Sequence, residues 1–245
     1  MNQQLRSGFH EQLDDIRTGI ARLSAGVTEL VPRATEVLLD GDLEAAEYVI
    51  LGDDEYDTKS IDLEERCFSL IALQAPVAGD LRALVSSIKI IADVERSADL
   101  CANICKAARR IYSHDLDAPL RGIIAKCGQQ ATLLFKECTE AFLATDGVRS
   151  AALQDMDAYL DDLHRQFIQL IFESHANGNI DLQVAVQLAV VARFYERIGD
   201  HAVNVGERTR YIVDGWIPEH PYPESGYSMS DAESLLADSQ PASDD

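Results

Sequence analysis

Aromatic side chains are scarce in this chain, at 7% of 245 residues, and lysine and arginine number 21 against 42 aspartates and glutamates. The first deficit argues against β-structure, since few segments carry Thr, Tyr or Phe at alternating spacing. The second leaves a formal net charge of −21. That charge excludes nucleic acid as an expected partner, because phosphate binding rests on Lys and Arg displacing counterions. It disfavours anionic membrane surfaces for the same reason, and it favours cations and basic partner patches. No apolar run reaches about 18 residues, so no membrane-spanning helix is expected and membrane association would come through a partner. The opening Met1-Asn2-Gln3-Gln4-Leu5-Arg6 lacks the basic-then-apolar layout of a secretory signal.

Other absences bear on chemistry. There is no Cys-x-x-Cys, and the five cysteines (Cys67, Cys101, Cys105, Cys127, Cys138) are odd in number and lie in apolar-periodic stretches. They read as reduced thiols acting as small hydrophobes in a cytoplasmic protein. No Gly-x-Ser-x-Gly and no Walker-type phosphate loop occurs. The enzyme class to weigh is a di-metal carboxylate oxidase in a helical bundle, which needs Glu-x-x-His on two helices. Asp161-x-x-His164 is the nearest approach and occurs once. A binding protein is therefore expected rather than an enzyme, with a metal-free helical scaffold as the third reading.

What the chain has is Leu, Ile, Val and Ala at helical spacing, within a hydrophobic fraction of 47%. Phe9, Leu13, Ile16, Ile20, Leu23, Val27 and Leu30 follow a three- and four-residue period that predicts a first helix, with Pro32 expected to kink or restart it. Asp40-Gly41-Asp42 is a stop, and a second helix is predicted from Leu43 to about Leu73. Gln74 to Asp80 breaks it, with Asp80 as the expected N-cap of a third helix running to about Tyr112. Ser113 to Pro119 is a linker. Helices are then predicted over 120–143, 151–175 and 181–213, separated by Thr145-Asp146-Gly147 and Ala176-Asn177-Gly178-Asn179. Residues 214–245 hold eight acids, no Lys or Arg and four of the seven prolines. That composition predicts a disordered acidic tail.

The chain repeats itself. Val94-Glu95-Arg96-Ser97-Ala98-Asp99-Leu100-Cys101-Ala102-Asn103 corresponds to Tyr195-Glu196-Arg197-Ile198-Gly199-Asp200-His201-Ala202-Val203-Asn204, offset by 101 positions from Glu95 to Glu196. Asp57 corresponds to Asp157, and Leu81 to Leu182. The expected architecture is all-α, with two tandem three-helix bundles over 5–112 and 119–213 related by internal duplication.

Residues four apart share a helix face. Glu95, Asp99 and Asn103 thus form one column, and Glu196, Asp200 and Asn204 another. The apolar stripe Leu81, Leu84, Ile88, Ile91 and Ala92 runs directly into the first column, so carboxylates interrupt a face that should pack. Burying an ionised carboxylate costs several kcal/mol unless something compensates. Arg96 and Arg197 could neutralise one acid each, but acids on the preceding helices (Asp53 and Asp57; Asp157 and Asp161) outnumber them. A bound cation would satisfy the surplus. All-oxygen ligands suit hard or intermediate ions. His164 is a candidate nitrogen ligand beside Asp161. Salt bridges between paired helices are the alternative use of the same residues.

Glu196-Arg197-Ile198-Gly199-Asp200, its partner Glu95-Arg96-Ser97-Ala98-Asp99, and Gln74-Ala75-Pro76 followed by Asp80-Leu81-Arg82 resemble the PhoU family, over about residues 5–213. The resemblance implies two homologous three-helix bundles and metal clusters at Glu/Asp-x-x-x-Asp sites. By matching position the ligands would be Glu95, Asp99, Glu196 and Asp200, with Asp57, Asp157 and Asp161 from the neighbouring helices. The metal would be Fe, Mn, Mg or Zn. The resemblance further implies a homodimer that represses phosphate uptake and the phosphate-starvation response by contacting a phosphate-transporter ATPase subunit and a sensor histidine kinase. The first copy departs from the family pattern at Ser97-Ala98, and Ile61 stands where Asp161 predicts an acid.

Overall fold

The computed structural model describes residues 2–215. The tail expected over 214–245 lies outside them, apart from Asp214 and Gly215. Six helices follow one another: α1 (Asn2–Asp40), α2 (Leu43–Gln74), α3 (Ala78–Arg110), α4 (Ala118–Ala144), α5 (Gly147–Ala176) and α6 (Leu182–Asp214). The described residues contain no strand.

Local chemistry sets the helix ends. Asp42, Asp117, Asp146 and Asp181 each cap the helix that follows, their carboxylates accepting from the backbone N–H of Ala45, Leu120, Arg149 and Val184. Left-handed residues close α2 at Ala75 (φ 44°), α4 at Thr145 (φ 53°) and α6 at Gly215 (φ 74°). Two expectations need correcting. Asp80 does not cap α3: that helix begins at Ala78 behind Val77, which makes no side-chain cap, and Asp80 sits in the first turn, where its charge faces the positive helix end. Pro32 does not restart α1, which runs unbroken through it. The neighbouring Val31 and Ala34 are fully buried, while Pro32 is only half-buried. Packing of the core face thus holds the helix together across the missing amide hydrogen.

The two three-helix units share one core. Helix α1 packs on α3 and α4, α6 on α3 and α4, and these four make the centre of the molecule. Among the described residues α2 contacts α1 and α3, while α5 contacts α4 and α6, so each lies on its own flank. A single apolar cluster runs through both units, from Ile16, Ile20 and Val27 through Leu84, Ile91 and Ile104 to Phe135, Phe167 and Tyr195. Polar links tie the halves: Thr35 and Tyr195 hydroxyls lie 2.8 Å apart, and Arg17 donates to the carbonyl of Phe142 at 3.3 Å. All five cysteines are buried free thiols, as small hydrophobes would be.

Candidate functional site

The duplicated stripe forms two carboxylate clusters, each in the seam between a flanking helix and a central one. The first joins α2 to α3. Glu95 and Asp99 on α3 face Asp53 and Asp57 on α2, and their mutual repulsion is felt. The Glu95 carboxyl is raised above its ordinary range by burial, then by Asp57 and Asp99. Asp53 is raised by burial and by Asp99, with Lys106 opposing. Asn103 donates to Asp99 Oδ2 at 3.0 Å and so belongs to this cluster.

The second joins α5 to α6. Asp157 is pushed up to about 7 by burial, then by Asp161, Asp200 and Glu196. Glu196 is raised by burial and by Asp200, with Arg193 opposing. Two oxygens here, Asp157 Oδ1 and Glu196 Oε2, are buried without a hydrogen-bond partner. Such groups are uncommon and call for an explanation. Gly199 supplies the space: a Cβ at this position would fall within 3.0 Å of Asp157 Oδ1 and of Leu160 Cδ2. The equivalent residue of the first copy is Ala98, which is buried. His164 borders the second cluster, its imidazole pKa lowered by burial and by Arg193 against the pull of Asp161.

Several residues take other parts than the spacing suggests. Arg197 is exposed, whereas Arg96, though exposed as well, opposes the rise of the Glu95 carboxyl as expected. The cation that pairs with the second cluster is instead Arg193, one turn earlier, which bonds Glu196. Its counterpart in the first copy is Ala92, so the two clusters are not electrostatic twins. Asn204 does not close the second column: it turns across the interface and donates to Asp93 Oδ1 on α3 at 3.3 Å. His201 on α6 lies beside it, its Nδ1 2.9 Å from the same Asp93 oxygen. Asp53 is a member of the first cluster by the i, i+4 spacing to Asp57. Asp93 and His201 carry no such signal, because each belongs to a different half.

The donor sets fit a hard or intermediate cation. They offer clustered carboxylate oxygens, buried oxygens without partners in the second cluster, and a glycine where a side chain would fill the cradle. Among the described residues, no three His, Cys, Asp or Glu side chains converge as a ready-made ligand set for one ion. Ion binding would thus draw the acids of facing helices together. A separate groove of about 1060 Å³ lies between α1 and α2, lined by Arg22, Arg33, Tyr56, Lys59 and Arg66 among others, and contains none of the clustered acids. Among the described residues no helix is long and apolar enough to cross a membrane.

Comparison with known proteins agrees with this architecture. Residues 20–108 and 124–209 match the family model described as the PhoU domain, one match in each half. The chain is 36% identical over 215 residues to the phosphate-specific transport system accessory protein PhoU homolog 2 of Mycobacterium tuberculosis, covering 87% of this chain and 100% of that one. It is 31% identical over 214 residues to the corresponding PhoU homolog of Aquifex aeolicus, covering 86% and 96%. The crystal structure of PhoU from Pseudomonas aeruginosa superposes with a TM-score of 0.80 at 24% identity, over 85% of this chain and all of that one.

Proposed function

The chain belongs to the PhoU family, and from that membership together with the paired carboxylate clusters we propose that it is a metal-binding accessory protein of a phosphate transport system. In this reading it acts as a negative regulator of phosphate uptake and of the phosphate-starvation response. It works by protein contact with the transporter's ATPase subunit and with a sensor histidine kinase, as a cytoplasmic homodimer. The observation that carries the metal part is the pair of buried, partnerless oxygens on Asp157 and Glu196. They border Asp161 and Asp200, the other source of repulsion on Asp157. Leaving such acids uncompensated costs free energy that a bound cation would remove.

In the second cluster Asp157, Asp161, Glu196 and Asp200 would hold the ion, with His164 at its edge. Glu95, Asp99, Asp57 and Asp53 would hold the first, with Asn103 orienting Asp99. The ion, whether Fe, Mn, Mg or Zn, would supply positive charge that fixes α2 to α3 and α5 to α6. Arg193 limits the charge needed at the second cluster by holding one oxygen of Glu196. The acidic surface favours a partner with a basic contact patch. The accessory names of the relatives support a regulator over the carboxylate-oxidase alternative, which lacks the paired Glu-x-x-His motifs.

A pull-down with the full chain from phosphate-replete and phosphate-starved cells tests the partner assignment. Recovery of a transporter ATPase or a sensor kinase is expected, more from replete cells. Recovery of neither under both conditions contradicts it.

A further inference from the structure

Between the two clusters, at the contact of α3 with α6, lies a buried polar group that the internal duplication does not explain. Asp93 is 8% exposed and His201 7%. His201 Nδ1 and Asn204 Nδ2 both reach Asp93 Oδ1, at 2.9 and 3.3 Å. By the offset that relates the halves, Asp93 corresponds to Phe194 and His201 to Leu100. The positions that match Asp93 and His201 are therefore both apolar. An apolar contact is non-directional, whereas a hydrogen-bonded buried pair has one good geometry and is costly to leave half-made. A buried polar group whose counterpart is apolar calls for an explanation.

Position supplies one. Asp93 is two residues before Glu95, roughly 200° around α3 at 3.6 residues per turn, so α3 turns its acids toward α2 and Asp93 toward α6. His201 follows Asp200 directly, and α6 likewise shows its acids to α5 and its imidazole to α3. Neither cluster is gathered as a ligand set, and an ion that drew the acids of facing helices together would pull on α3 from α2 or on α6 from α5. The Asp93 contact is a buried hydrogen-bonded link between those two central helices.

We propose that Asp93, His201 and Asn204 are positioning residues that couple the two carboxylate clusters, so that an ion at one favours an ion at the other. The proposal rests on the reading that the clusters hold cations. Its test is a cycle of Mn²⁺ titrations on the full chain, followed by the electron paramagnetic resonance of free Mn²⁺. The dissociation constant of the second cluster is measured with and without E95A/D99A, in the native and the D93L/H201L backgrounds. Coupling of the usual size makes E95A/D99A weaken the second cluster about fivefold or more in the native background, and less than about twofold in D93L/H201L. D93N, which keeps an acceptor oxygen for His201, should retain most of the effect.

A merely structural role would alter affinity without altering that ratio. An equal effect of E95A/D99A in both backgrounds overturns the proposal, as does independent binding at two intact clusters in the native chain. If the native chain binds no Mn²⁺ at either cluster, the cation reading itself fails and the coupling falls with it. Should D93L/H201L not fold, N204L enters the same cycle. It removes one hydrogen bond to Asp93 and is expected to reduce the ratio, and an unreduced ratio counts against the proposal.

Discussion

Asp157 of α5 seats its carboxylate against Gly199 of α6 more closely than any Cβ at position 199 would allow. The glycine is thus part of the cluster, though it offers no ligand atom. Gly199→Ala is expected to push Asp157 outward and to cost about 1–3 kcal/mol through overpacking. It should also weaken the ion affinity of the second cluster by tenfold or more. Ala98→Gly in the first copy should cost about 1 kcal/mol of helix propensity and leave affinity alone. Urea unfolding and Mn²⁺ titration of both variants check this, and unchanged affinity in Gly199→Ala would count against it.

Much of the arrangement could be read from the chain before its fold was known. Helix order, the turns at Gly41 and Gly178, the duplication, and the columns Glu95–Asp99 and Glu196–Asp200 all follow from local spacing, while the joining of Glu95 to Asp57 and of Glu196 to Asp157 is implied by the family resemblance. Side chains four apart on one helix have no choice but to share a face. What escaped was non-local or competitive. The Asp93–His201 contact joins residues 108 positions apart, and no periodicity records it. Arg193, not Arg197, bonds Glu196, because residues three apart on α6 are neighbours on one face whereas adjacent residues are not. Asn204 matches Asn103 in spacing but answers to Asp93 rather than to its own column. A restart at Pro32 is expected from the sequence because its effect on the hydrogen-bond ladder is local, whereas the packing that carries α1 through it is tertiary.

Acidity gives a signed prediction for the metal-free chain. Asp157 has a folded value of about 7 against an ordinary 3.8. Between the two, the folded state holds a proton the unfolded state has lost. This group's contribution to stability is therefore full below about 3.8 and is lost as pH rises through about 7. Glu196, Glu95 and Asp53 shift in the same direction. In chelator, the chain should be more stable at about pH 5.5 than at about pH 8, by on the order of 1–2 kcal/mol after allowance for solvent screening. Asp157→Asn should flatten most of that slope. A slope unchanged in the variant, or rising with pH, contradicts the assignment.

Asp117 caps α4 and also receives hydrogen bonds from Ser174 Oγ at 2.7 Å and Asn179 Nδ2 at 2.9 Å. It thereby ties the start of α4 to the end of α5. Asp117→Ala loses the cap and strands the buried Ser174 hydroxyl, and should cost about 1–2 kcal/mol. Asp117→Asn keeps one acceptor oxygen for the cap but none at the second position, and should recover only part of that. At α3, where Val77 provides no cap, Val77→Ser should add up to about 1 kcal/mol. Urea midpoints of the three variants decide the matter, and an Asp117→Ala midpoint equal to the parent's would refute it.

The metal content of full-length protein purified without affinity tags or chelators bears most directly on the clusters. Elemental analysis should find Fe, Mn, Mg or Zn, with thermal stability falling in chelator and returning when the ion is restored. E196A/D200A should lower the metal content while helicity by circular dichroism stays intact. Protein free of all four metals, with no gain in stability from any of them, would mean that the paired carboxylates serve some other purpose.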